Sequence, residues 1–191
     1  TLEAERDAGS ESESLDKPIT VSLAARFDTV LDAGRKIATS LTREQIFDAV
    51  RETALKLLRG ERCLVLDRVE TDNQPDFTTV SGEMDEEYSR VMARKAVTTG
   101  RVVAFVDGLS EEATESVLLS GVRSALCAPI LVRGQAVACL YVMHREVVGL
   151  FGEDERRLAE FIATIAGAAL ENAENFGELK RLNLTLEERV R

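Results

Sequence analysis

The last forty or so residues constrain this chain more than any other stretch. Leu158, Ile162, Ile165, Ala169, Asn172, Phe176, Leu179, Asn183, Leu186 and Val190 follow one another in alternating steps of four and three. A 3.5-residue period sustained over several heptads predicts a left-handed coiled coil. The segment "GEDERRLAEFIATIAGAALENAENFGELKRLNLTLEERVR" contains no proline. It reads as one helix of about forty residues, or about 60 Å at 1.5 Å per residue. A domain core has no use for so long a helix, so it is expected to project beyond the core. Asn183 occupies an a position, where a polar residue fixes register and strand number at the expense of stability. The alternative is an ordinary solvated Asn on a helix that has drifted off its partner. The periodicity still runs at the last residue, with no Gly cap or Pro to close it. The first residue is Thr1. Both ends are expected to be cuts in a longer polypeptide.

A second seam lies near the other end. Leu23, Phe27, Val30, Gly34, Ile37 and Leu41 are spaced 4-3-4-3-4, and Gly34 would let a facing helix come close. On a monomer both seams would be large exposed apolar stripes. The expected assembly is a homodimer, with these sixteen seam residues as its interface. Thr42, with Gln45 three residues on, reads as the capping box of a second helix. Ile46, Phe47, Val50, Ala54, Leu57 and Leu58 form its apolar face, and Gly60 its end.

Between the seams the signals turn to strands. "RCLVLDRVE" and "DFTTV" flank the turn-forming "TDNQP". Met84, Tyr88, Val91, Met92 and Ala96 give helical spacing up to Gly100, "RVVAFV" is a short strand, and a short helix is expected after Ser110. "SALCAPILVRGQAVACLYVM" holds two almost continuous apolar runs around a tight turn at Arg133-Gly134-Gln135. Continuous rather than alternating runs predict strands covered on both faces. Pro129 requires a bulge or a missing ladder partner. The expected fold class is α+β: a central antiparallel sheet with helices on both faces and a long C-terminal coiled-coil helix.

Composition removes several functions. Net charge is −10, and half of it lies in residues 1–16. An acidic surface repels phosphate backbones and argues against nucleic-acid binding. Residues 1–18, rich in Ser and Glu, bury too little to offset their ordering entropy and are expected to be disordered. No apolar run reaches the roughly eighteen residues of a membrane span, and the opening residues are not expected to act as a signal peptide. Cys63, Cys127 and Cys139 sit in apolar runs without CxxC spacing. They suit a reducing compartment, so a cytoplasmic location is expected.

"GVRSALCAPILVRGQAVACLYVMHREVVGLFGEDERRLAEFIATIAGAALENAENF" resembles the C-terminal half of GAF domains. The matching pieces are Ser124 to Pro129, the Gly134 turn, Leu140-Tyr141, Phe151, the acidic cluster Glu153-Asp154-Glu155, and Ala169 to Ala173. "AVTTGRVVAF" is similar to the middle of that family. The resemblance implies a sensor or dimerisation domain over residues 19–176. Residues 177–191 would be the start of a signalling helix towards an output domain, foremost a histidine kinase of a two-component system. It also implies a pocket between the sheet and the middle section. Mapped here, that pocket would be lined by Phe77, Tyr88, Met92, Phe105, Leu109, Val117, Leu118 and Cys127, with Tyr88, Arg123 and Ser124 as polar handles. The plainer alternative is a filled core.

Other chemistries of the family fit less well. His144 is the only histidine, at a strand end, and with no Cys-His pair a haem or tetrapyrrole is not expected. His144-Arg145 stands where cyclic-nucleotide-binding relatives have Asn-Lys, and Phe151-Gly152-Glu153-Asp154-Glu155 is one residue short of their motif. Some family members reduce free methionine sulfoxide with cysteines, but a thiolate needs a lowered pKa and an approachable sulfur. No phosphate loop or metal-ligand spacing is present. The expectation is a regulatory module with no catalytic residues, no metal and no cofactor beyond an unidentified small molecule. A small methionine-sulfoxide-reducing enzyme and a ligand-free dimerisation spacer are the alternatives.

Overall fold

The computed structural model describes residues 23–71, 74–106 and 121–190, with side chains from residue 28 to residue 186 of these. The stretch expected to be disordered and the short helix expected after Ser110 lie outside them. The described elements are α1 (Leu23–Ala38), α2 (Arg43–Leu58), β1 (Arg62–Val69), β2 (Asp76–Ser81), α3 (Arg90–Thr99), β3 (Val103–Val106), β4 (Ser124–Val132), β5 (Gln135–His144) and α4 (Glu153–Val190). The strands form one antiparallel sheet in the order β2-β1-β5-β4-β3.

Local chemistry accounts for most boundaries. The Thr42 hydroxyl accepts from the Gln45 amide, and the Gln45 side chain accepts from the Leu41 amide. The first contact satisfies a donor that the start of α2 would leave orphaned, and the second holds the residue before the cap in place. Arg59, in the left-handed region, ends that helix one residue before Gly60. The third helix is shorter than its apolar spacing suggests. Ser89 caps it by accepting from the Met92 amide, so it begins at Arg90, and Met84 is left exposed in the preceding loop. The β4–β5 hairpin turns on Arg133 and Gly134, both with positive φ (50° and 79°). That is the pair of left-handed residues a two-residue type I′ turn requires.

The continuous apolar runs of β4 and β5 do face two cores. Leu126, Ala128, Ile130, Ala138, Leu140 and Val142 point to the face covered by α1, α2 and α4. Ala125, Cys127, Cys139, Tyr141 and Met143 point to the face covered by α3. Pro129 pairs with β5, but β3 reaches only Cys127, so on its other side Pro129 has no ladder partner. A register shift follows at once, between Ile130 and Leu131.

The long helix has two parts. Ala159, Ile162, Ala163, Ala166, Ala169 and Leu170 are buried against the sheet. The backbone at Gly167 lies so close that a Cβ there would stand 2.1 Å from the Leu131 carbonyl oxygen. From Glu174 to Leu186 every residue is exposed, including Phe176, Leu179, Leu182, Leu184 and Leu186. The helix thus leaves the core with an apolar surface uncovered, as its length implies.

Candidate functional site

The α3 face of the sheet gathers four of the expected pocket residues. Phe77, Met92, Phe105 and Cys127 are buried in one cluster, with Tyr88 packed against it. Leu109, Val117 and Leu118 lie outside the described residues. Two assigned handles go elsewhere. Ser124 follows the alternation of β4 away from Ala125 and Cys127. Its hydroxyl donates to the Val147 carbonyl (2.7 Å) and accepts from the Leu150 amide (3.2 Å), pinning the β5–α4 loop. Arg123 is exposed, and its backbone amide donates to the His144 carbonyl. Neither belongs to the cluster.

Tyr141 and Ser89 were not anticipated and organise this face. The Tyr141 hydroxyl accepts from the Ser89 amide (3.3 Å) and donates to Met92 Sδ (3.7 Å). The Tyr88 hydroxyl donates to the Phe77 carbonyl (3.3 Å), and the two tyrosine rings meet edge-on with centroids 6.0 Å apart. Cys139, Tyr141 and Met143 alternate along β5, so period two alone could have found Tyr141. The cluster offers aromatic edges, thioether and thiol, with both phenols already engaged. It suits stacking and dispersion, not proton transfer.

The thiols are poor nucleophiles. All three cysteines are free and buried. Burial pushes Cys63 up from its ordinary 9.0 to about 12. A hydrogen bond to Cys139, then burial, holds Cys127 well above the usual thiol range. Burial likewise raises Tyr141 and Tyr88. For Cys63 the folded state holds the proton more tightly than the unfolded chain. Its contribution to stability is complete below pH 9 and is lost as pH rises towards 12. Denaturant midpoints are therefore expected to fall between pH 9 and pH 11, less steeply in Cys63→Ala. A thiol reagent should modify none of the three at neutral pH until the chain is unfolded.

His144 caps a loop. Its Nδ1 accepts from the amides of Glu146 (3.1 Å) and Val147 (3.2 Å). Beside it Glu86, almost fully buried at its side chain, is held between Arg62 (3.2 Å) and Arg145 (2.5 Å), which ties the ends of β1 and β5 together. Among the described residues no cluster of His, Cys, Asp or Glu could hold a metal ion. None of the described helices is long and apolar enough to cross a membrane.

A second candidate surface is an apolar groove of about 400 Å³ between α1 and α4. Leu31, Gly34, Ala38, Phe161, Ile165 and Ala168 line it, and Asn172 borders it. The expected interface residues are thereby sorted. Ile37, Ile162 and Ala169 are buried within the protomer, Val30, Leu158 and Ile165 are half-buried, and Leu41 lies beyond α1 in the open. The close approach at Gly34 is to α4 of the same chain, where a Cβ would stand 3.0 Å from Ile165 Cδ1. Asn172, Phe176, Leu179, Asn183 and Leu186 are exposed. The side chains of Leu23, Phe27 and Val190 lie outside the described residues. Phe161 and Ala168, on the open face, were missed because the 3.5-residue reading put the seam one position away.

A family model for the GAF domain matches residues 42–170, more than half of the chain. No curated protein matches it by overall sequence similarity. Solved structures do. The Stigmatella aurantiaca phytochrome photosensory core module is 11% identical with a TM-score of 0.63, over 82% of this chain and only 38% of its own length. The free methionine-R-sulfoxide reductase of Neisseria meningitidis, in complex with its substrate, is 13% identical with a TM-score of 0.64, covering 80% of this chain and 92% of its own. The GAF domain of a protein described as a sensor histidine kinase from Pseudomonas syringae pv. tomato is 16% identical with a TM-score of 0.54, covering 83% and 93%. At such identities the likeness is one of fold.

Proposed function

The chain belongs to the GAF domain family, and on that footing we propose that it is a sensory and dimerisation module. It pairs with a second copy through the α1–α4 groove and the exposed stripe of α4. It takes a small molecule on the α3 face of the sheet, and it relays the signal along α4 to an output domain of the histidine-kinase type. The observation that carries this reading is the apolar stripe from Phe176 to Leu186, which is exposed among the described residues and extends α4 beyond the groove and the core. A folded monomer rarely leaves so much contiguous apolar surface open. A protein described as a sensor histidine kinase shares the fold, which supports the choice of output. The sulfoxide-reducing alternative has less support, because Cys63 and Cys127 are pushed away from the thiolate form.

The test is phase. In a fusion of residues 1–191 to a dimeric histidine-kinase core, one Ala inserted after Gly177 turns the downstream helix by about 100°, whereas seven restore the seam. The single insertion is expected to lock or abolish regulated output, and the heptad to retain most of it. Equal output from both would make α4 a passive tether. Native mass spectrometry of the purified chain is expected to show a dimer carrying a small molecule. A dimer free of ligand under all conditions would reduce the module to a spacer.

A further inference from the structure

The apolar stripe of α4 changes phase where the helix leaves the sheet. Beside the groove it consists of Phe161, Ile165, Ala168 and Asn172, in steps of 4-3-4. A heptad continued from there runs through Asn175, Leu179, Leu182 and Leu186. The other set, Phe176, Leu179, Asn183 and Leu186, follows Asn172 by a second step of four. Two consecutive steps of four are a stutter, which displaces the seam by about 50° and locally unwinds a coiled coil. The exposed rod therefore carries two overlapping seams. They share Leu179 and Leu186 and differ in whether Asn175 and Leu182, or Phe176 and Asn183, face the partner.

The domain reaches this point of choice through Arg133. From the tip of the β4–β5 hairpin its Nε donates to Glu171 Oε1 (3.2 Å) and its Nη2 donates to Asn175 Oδ1 (2.8 Å). Gly167, Glu171 and Asn175 lie at four-residue intervals on one face of α4. The hairpin meets that face through the Leu131 carbonyl at Gly167 and through Arg133 at the other two. An Asn175 drawn towards the hairpin is kept out of the seam, which leaves Phe176 in it.

We propose that Arg133 is a positioning residue that selects the Phe176–Asn183 seam, and that opening this clamp lets paired rods turn by about 50° to the Asn175–Leu182 seam. The inference rests on the pairing proposed above. The hairpin is a fitting lever, because its strands carry Cys127, Cys139 and Tyr141 on the opposite, α3-covered face. A shift of those strands moves Arg133. The clamp is half-exposed, with Arg133 and Glu171 side chains 59% and 40% accessible. Such ion pairs are weak, which suits a contact that must open.

The test uses the whole chain with one cysteine added by Leu179→Cys, Leu182→Cys or Asn183→Cys, oxidised and scored for cross-linked dimer. With Arg133 intact, positions 179 and 183 are expected to cross-link severalfold faster than 182. Arg133→Asn keeps a residue that tolerates the left-handed turn and removes the clamp. It should invert the 183-to-182 ratio while leaving 179 unchanged. Asn175→Ala should do the same from the helix side, and Asn175→Asp, which restores an acceptor for Arg133, should retain the original order. Amide exchange over residues 171–178 should rise severalfold in the first two variants only. A merely structural contact would lower the melting temperature without inverting the ratio. Cross-links present but unshifted in both clamp-removing variants would overturn the clamp and leave the pairing standing. A chain that gives no cross-links and scatters light as a monomer would overturn both.

Discussion

Phe161→Asp combined with Leu179→Asp is expected to turn a dimer into a monomer in light scattering at tens of micromolar. Phe161 borders the groove and Leu179 stands on the open rod, so the pair strikes both segments of the proposed interface. Neither belongs to the two buried clusters of the protomer. In a symmetric pair each new carboxylate faces apolar surface or its own copy, where it is unpaired and desolvated. The penalty is about 4 kcal/mol or more in total, a weakening of about a thousandfold. Both side chains are exposed and stand outside the clusters that cover the sheet, so its circular dichroism should be unchanged. A double variant that keeps the dimer mass would place the interface elsewhere.

The second large effect separates two glycines of one helix. Gly167→Ala forces a Cβ to within 2.1 Å of the Leu131 carbonyl oxygen, a backbone atom that cannot rotate away. Either the helix lifts off the hairpin or the sheet bends, at about 3 kcal/mol by analogy with overpacked cores. For a chain of this size that lowers the melting temperature by roughly 6–12 °C. Gly177→Ala, ten residues on, meets nothing within 4 Å. It removes the entropic burden of glycine in a helix and is expected to stabilise by up to about 1 kcal/mol. Differential scanning calorimetry of the two variants should show shifts of opposite sign. Equal shifts would mean that α4 does not lie against Leu131.

The same contrast explains which features the sequence discloses. Gly167 and Gly177 look alike in sequence, because a helix pattern records composition along a face and not the distance to a neighbour. The hairpin at Arg133-Gly134 was legible because its requirement is local: two left-handed residues between two apolar runs. The capping of α2 by Thr42 and Gln45 was legible for the same reason. Ser89 does not stand out as a cap in the sequence, because Met84 and Tyr88 extend the apolar spacing back through it. Only the packed structure shows Met84 in the open.

The candidate site was legible in part. Phe77, Met92, Phe105 and Cys127 fall on one face and are buried together, because β-strand alternation and helix period each fix a shared face. Ser124 failed because a continuous apolar run hides which face each residue takes, and an adjacent loop claimed its hydroxyl. Tyr141 was hidden by the same run.

By itself the sequence determined the α+β order of elements, the two-sided burial of β4 and β5, and a helix too long for its domain. Those follow from local propensity, turn chemistry and period, which act over a few residues. The tertiary structure decided which side of each apolar helix looks inward. An α-helix drifts about 20° per heptad against a 3.5-residue repeat unless it supercoils around a partner, and the period from Leu158 to Val190 does not say which stretch packs on the sheet instead. The sheet takes Ile162 and Ala169, α1 takes the close approach at Gly34, and Phe161, Ala168, Phe176 and Leu179 are left facing outward.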